Sequence, residues 1–330
     1  MKKNVAIIFC FIVILSMLSA CGTSSKYSYL KDLSEEDYNM FLWQAIEDTE
    51  KINIDTIEEI MKVDNQNFTQ NGYNEKFDIF MNYLVIKKYN FQTIIRQYNN
   101  VFINTDFKDV KTNDSILKTT ISEIKRHYMT VKYINNEAVV LIDYQKVLDL
   151  FGKNVSDDVR NFYTMMSEIE TMKVVNNNAT DYDKVEEIIT MLYDFLKNNR
   201  TSREFEKAYS VFNKQFGFYL GLMNNTEIWN ENSELKEEMK ERYKKFAEKN
   251  KDNEIEQTMD KFFNFLELNY YVQTSDFNYQ VEQIVNGTIP LQTLDELKAA
   301  GMIKIVEDSG YIENILRAKE QKDKEQSSEK

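Results

Sequence analysis

Apolar residues recur at alternating steps of three and four between Phe77 and Val101: Phe77, Phe80, Leu84, Phe91, Ile94, Tyr98 and Val101, with Lys87 the one polar member. That is the seam of a long helix packing lengthwise on other helices, with the Lys87 stem lying along it and its ammonium in water. Shorter helical stripes flank it. Ser34, followed by Glu35, Glu36 and Asp37, reads as an N-cap with acids in the positive first turn, ahead of Tyr38, Leu42, Ala45, Ile46 and Thr49. Asn113-Asp114 opens a helix carrying Ile116, Thr120, Ile121, Ile124 and Tyr128, and Ser156 caps one carrying Val159, Phe162, Tyr163, Met166 and Ile169. Asp181 starts another, with Val185, Ile188, Ile189, Leu192, Phe195 and Leu196 on one face.

Later elements follow the same logic. Thr201 and Glu204 fit a capping box ahead of Phe205, Tyr209, Phe212, Phe216 and Tyr219. Gly217 and Gly221, one turn apart, suggest close helix approach. Ser233 to Lys251 reads as a charged amphipathic helix capped by Ser233, Phe262 to Tyr271 as a central apolar helix, and Thr293 to Ala300 as a short helix stopped by Gly301. The stretch 131–143 is ambiguous. Asn135-Asn136 between two β-branched runs fits a hairpin, while the continuation through Tyr144, Val147, Leu148 and Phe151 to Gly152 is helical. Helix is the favoured reading over 131–143.

These patterns predict an all-α fold, an antiparallel bundle of roughly eight to eleven helices in one or two lobes. Asn176-Asn177-Asn178 is the best internal boundary, giving lobes at 34–175 and 176–318, with a polar, frayed tail at 319–330. Composition agrees. The chain holds 8 Gly and 1 Pro in 330 residues. Both are far below ordinary usage of about 7% and 5%, and Gly-rich phosphate loops and multi-stranded sandwiches need them.

The amino-terminal end is patterned differently. Lys2 and Lys3 precede a nearly continuous apolar run from Val5 to Leu18, which ends at Leu18-Ser19-Ala20-Cys21. The basic start and short apolar core are those of an export signal, too short for the ~20 residues of a spanning helix. The last four residues resemble the lipobox of bacterial lipoproteins. The resemblance implies recognition at Leu18, Ser19 and Ala20, removal of residues 1–20, and a diacylglyceryl thioether on Cys21. Residues 21–33 then read as a tether. Two acyl chains anchor stably where one binds marginally, since each buried methylene contributes about 0.8 kcal/mol. The implied location is extracytoplasmic, on the cell membrane.

With that processing, Cys10 leaves and Cys21 is blocked, so no disulfide staples the mature body. The net charge of −13 becomes −15 without Lys2 and Lys3. Such a body repels nucleic acid, which is excluded as a partner.

Chemistry-bearing motifs are sparse. No Gly-x-Gly-x-x-Gly, P-loop or Gly-x-Ser-x-Gly occurs. His127, the only histidine, lies beside Lys125 and Arg126 and reads as a surface residue. Ser233-Glu234-Leu235-Lys236 has the Ser-x-x-Lys spacing without its companion motifs, and Asp181-x-Asp183 lacks the rest of a calcium loop. No catalytic, cofactor-binding or metal-ligating residue is singled out, and no cofactor is expected. The reading is a membrane-tethered, non-catalytic binding or scaffold protein with a protein or peptide partner. The alternatives are a solute-binding lipoprotein of a transporter, whose α/β fold needs more glycine, and an envelope enzyme or foldase.

Overall fold

The computed structural model describes residues 27–302 except 48–53, 64–67, 104, 135, 173–174, 177–178 and 224. Twelve α-helices carry the described chain, and the only strands among these residues form two antiparallel pairs. The fold is an all-α multi-helix one. The chain forms two compact units, 1–191 and 192–330.

In the first unit, Glu35–Glu47 (α1), Ile54–Met61 (α2) and Gln70–Ile95 (α3) are followed by Ser115–Arg126 (α4). Ser34 caps α1 as expected: its Oγ accepts from the Asp37 amide at 3.1 Å. Asp114 does the same for α4, accepting from the Leu117 amide at 2.9 Å. The α3 seam is buried at Phe77, Phe80 and Leu84, and half-buried at Phe91 and Ile94. The α-helix does not run through to Val101. It tightens into a 3-10 segment, Arg96–Phe102, broken by non-helical backbone at Tyr98. Part of the expected tether is ordered as well: Tyr27 and Leu30 are buried around a 3-10 turn at Ser28–Asp32.

Residues 131–143 correct the favoured helix. Met129–Ile134 (β1) and Glu137–Ile142 (β2) pair antiparallel, with Val131 opposite Val140 and Ile134 opposite Glu137. Asn136 takes φ 64°, a backbone that suits Asn in a two-residue hairpin connection. The decisive partners are distant in sequence. The Gln92 side chain donates to Ala138 O at 2.9 Å and accepts from the Val140 amide at 2.7 Å. Asn99 accepts from the Ala138 amide and donates to Asn136 O at 3.2 Å. Side chains of α3 and the 3-10 segment thus satisfy the open edge of β2, as a third strand would.

Tyr144–Phe151 (α5) ends at Gly152 with φ 56°, and Asp157–Thr171 (α6) follows. Glu170 ties three helices together. It accepts from Tyr144 Oη at 2.8 Å and from Lys88 Nζ at 3.1 Å. Around the expected boundary, Val175–Asn176 (β3) pairs antiparallel with Ala179–Thr180 (β4), while Asn177 and Asn178 lie outside the described residues. The division between the units falls further on, within Tyr182–Asn198 (α7). The six apolar residues predicted on the α7 face are all buried.

The second unit continues with Phe205–Tyr219 (α8), Glu237–Lys249 (α9), Glu254–Leu268 (α10), Phe277–Asn286 (α11) and Leu294–Ala299 (α12). Several local expectations change here. Thr201 forms no capping box; Glu204 sits at the N-cap of α8 without a side-chain cap, buried, with Lys207 Nζ 2.8 Å from its carboxylate. The complete capping box is at Thr293 and Glu296. Ser233 is not a cap but a left-handed loop residue with φ 61°. Gly221 lies beyond the end of α8 at φ 102°, and the close approach at Gly217 is to Leu222 of the same chain. The apolar stretch 262–271 is central only at first. Phe262 and Leu266 are buried, whereas Leu268 and Tyr270 are 80% and 87% exposed as α10 gives way to left-handed residues Tyr270 and Tyr271.

Candidate functional site

Leu18, Ser19, Ala20 and Cys21 lie outside the described residues, so the signal and lipid-attachment expectations rest on sequence. No described helix is long and apolar enough to cross a membrane.

His127 is not on the surface: it is 4% exposed. It ends α4, its amide donating to Glu123 O at 3.0 Å, and Tyr128 at φ 56° then turns the chain into β1. The imidazole Nδ1 is 2.7 Å from Glu123 O. A carbonyl only accepts, so Nδ1 carries the proton and Nε2 accepts from Tyr83 Oη at 2.9 Å. The ring stacks on Tyr83 and meets Phe91 edge-on. With both Tyr83 and His127 buried, the pair is a satisfied polar junction between α3 and α4.

Burial pushes the His127 pKa below the usual histidine value. The nearby Lys87 and Arg126 charges act in the same direction, while the hydrogen bond to the Glu123 carbonyl and the Glu123 carboxylate oppose it. The unfolded chain, with an ordinary histidine, therefore takes up this proton first as pH falls. The His127 contribution should be full above about pH 6.5 and be lost progressively as pH drops towards the depressed folded value. Urea midpoints measured across this window should fall in the wild type and flatten in His127→Asn. A folded-state NMR titration of His127 at or above the ordinary value would contradict the assignment.

The strongest buried cation is Lys76 on α3, 2% exposed. Its ammonium donates to Met61 O at 2.7 Å, at the end of α2. It stands 4.7 Å from the Tyr38 ring centre, with Phe68 and Tyr73 at 5.7 and 5.8 Å. A cavity of about 290 Å³ opens beside it, lined also by Tyr73, Leu150, Phe151 and Asn154. Sequence reading missed this residue because it lies off the α3 seam, one position before Phe77, and because its aromatic neighbours come from other parts of the chain. Among the described residues, no cluster of three or more His, Cys, Asp or Glu side chains could hold a metal ion.

No family model matches this chain, and neither a curated protein nor a solved structure is similar to it at a significant level.

Proposed function

We propose that this chain is a lipid-anchored, extracytoplasmic binding or scaffold protein whose helical body engages a protein or peptide. The observation that carries the reading is the order Lys2-Lys3, apolar Val5 to Leu18, then Leu18-Ser19-Ala20-Cys21. A basic start, an apolar core and a small pair before cysteine are what export and lipid attachment require. Each further element supports a tethered body. The body is acidic, so attachment through charge to anionic lipid is disfavoured, and the lipid on Cys21 is the anchor on which this reading relies. Its helices carry exposed apolar side chains at helical spacing, Met40 with Trp43 on α1 and Val85 and Ile86 with Tyr89 on α3.

Replacing Cys21 with alanine should move the protein from the membrane pellet to the soluble fraction. Mass spectrometry of the wild-type amino terminus should show a lipidated Cys21. A Cys21→Ala variant that still pellets with membranes, or an unlipidated wild-type terminus at Gly22 or Ser24, would overturn the reading.

A further inference from the structure

The chain joins the folded body of the first unit soon after Cys21. Tyr27 is 6% exposed and Leu30 is fully buried, around the 3-10 turn Ser28–Asp32. The Tyr29 ring of that turn stands edge-on to Phe41 of α1, with ring centres 6.2 Å apart. The point of entry therefore lies against the middle of α1.

This placement limits how far the body can stand from a lipid on Cys21. Six chain steps separate Cys21 from Tyr27, and they span at most about 22 Å whatever path they take. A compact domain of about 150 residues has a radius of gyration of about 15 Å, hence a diameter of about 40 Å. The reach is about half that diameter. Tyr27, and the part of α1 it enters against, stay in the membrane-facing half of the first unit.

The outer face of α1 suits this position. Met40 and Trp43 are 40% and 50% exposed, while Tyr38, Leu42 and Ile46 of the same helix are buried. Trp43 is one of two tryptophans in the chain, and the other, Trp229, is buried. An indole has an apolar body and one polar N–H, and it favours the headgroup level of a bilayer. Glu36, Asp37 and Glu47 are exposed on α1 as well, so the face fits a neutral lipid surface and grips it weakly on its own. A short tether offsets that weakness, because it holds the face beside the leaflet at an effective concentration on the order of millimolar. The exposed Val85, Ile86 and Tyr89 lie on α3, not on the helix against which the tethered end packs.

We propose that the outer face of α1 docks on the bilayer that holds the lipid, with Met40 and Trp43 in the headgroup layer, so that the first unit lies on the membrane instead of swinging free. The proposal rests on the lipid-anchored reading above. The test uses the lipidated mature protein carrying Trp229→Phe, so that Trp43 is the sole tryptophan. It is reconstituted into phosphatidylcholine vesicles with or without lipid brominated high on the acyl chains. Trp43 emission should move to shorter wavelength than in the unlipidated Cys21→Ala protein, and brominated lipid should quench it. The difference between wild type and Trp43→Phe gives the same readout with Trp229 in place. Met40→Asp, at an exposed position, should keep the helical circular dichroism spectrum and lose both the shift and the quenching. Protein that floats with the vesicles but is not quenched overturns the docking and leaves the anchor reading standing. Protein that does not float overturns both. Quenching unchanged by Met40→Asp, or equal in Cys21→Ala, overturns the assignment to a tethered α1 face. A Cys21→Ala protein that dimerises, and becomes monomeric with Met40→Asp, would reassign the face to a second copy of the chain.

Discussion

Phe77→Ala should lower the stability of the first unit by about 3–5 kcal/mol, the range for deleting a buried aromatic ring. The ring is fully buried on α3 and meets Phe151 at the end of α5 and Tyr163 on α6, each edge-on at 5.0 Å. Removing it forfeits the transfer energy of the ring and both aromatic pairings, and the flanking rings cannot close the space without moving two helices. Urea denaturation should show a lower midpoint with the slope unchanged, because the folded state loses contacts rather than compactness. Val85→Ala, on the same helix with about half of its surface in water, should stay within about 0.5 kcal/mol of the wild type. Equal midpoints for Phe77→Ala and the wild type would mean that the seam does not organise this unit.

That seam was legible because helical periodicity is local. Phe77, Phe80 and Leu84 announce their burial within two turns, and Ser34 and Asp114 announce their helix starts by side-chain chemistry alone. The hairpin and His127 were misread for one cause: the partner that decides lies far along the chain. The hairpin at 129–142 has an ambiguous period, and Gln92 and Asn99 satisfy its edge from about 40 residues away. His127 has charged neighbours in sequence, yet Tyr128 turns the chain and Tyr83 supplies its hydrogen bond from 44 residues upstream. Thr201 and Glu204 have the letters of a capping box, but α8 begins one turn later than they require. α2 escaped notice because Ile54, Ile57 and Ile60 make too short a stripe to stand out without the helices that cover it.

Lys76→Ala should cost about 2–4 kcal/mol, although it removes a charged residue rather than an apolar one. The reason lies in α2, only eight residues long, whose last carbonyls need donors and carry the negative end of its dipole. Tyr38 Oη donates to Ile60 O, and Lys76 Nζ donates to Met61 O, so two other helices close the C-terminus of α2. The same ammonium lies over the Tyr38 ring, where the negative face of the aromatic system stabilises it away from water. Alanine leaves Met61 O without that donor, strips the face of Tyr38, and empties the space of three methylenes and the ammonium. Lys76→Met separates these effects. It keeps most of the buried stem but not the donor, so its stability should fall between those of the alanine variant and the wild type. A stem-only role would make Met equal to the wild type, and a purely electrostatic role would make Met equal to Ala. An intermediate midpoint in urea, with hydrogen exchange at Ile60 to Val63 accelerated in both variants, is the result that the geometry requires. An alanine variant as stable as the wild type would show that α2 ends without help from α3.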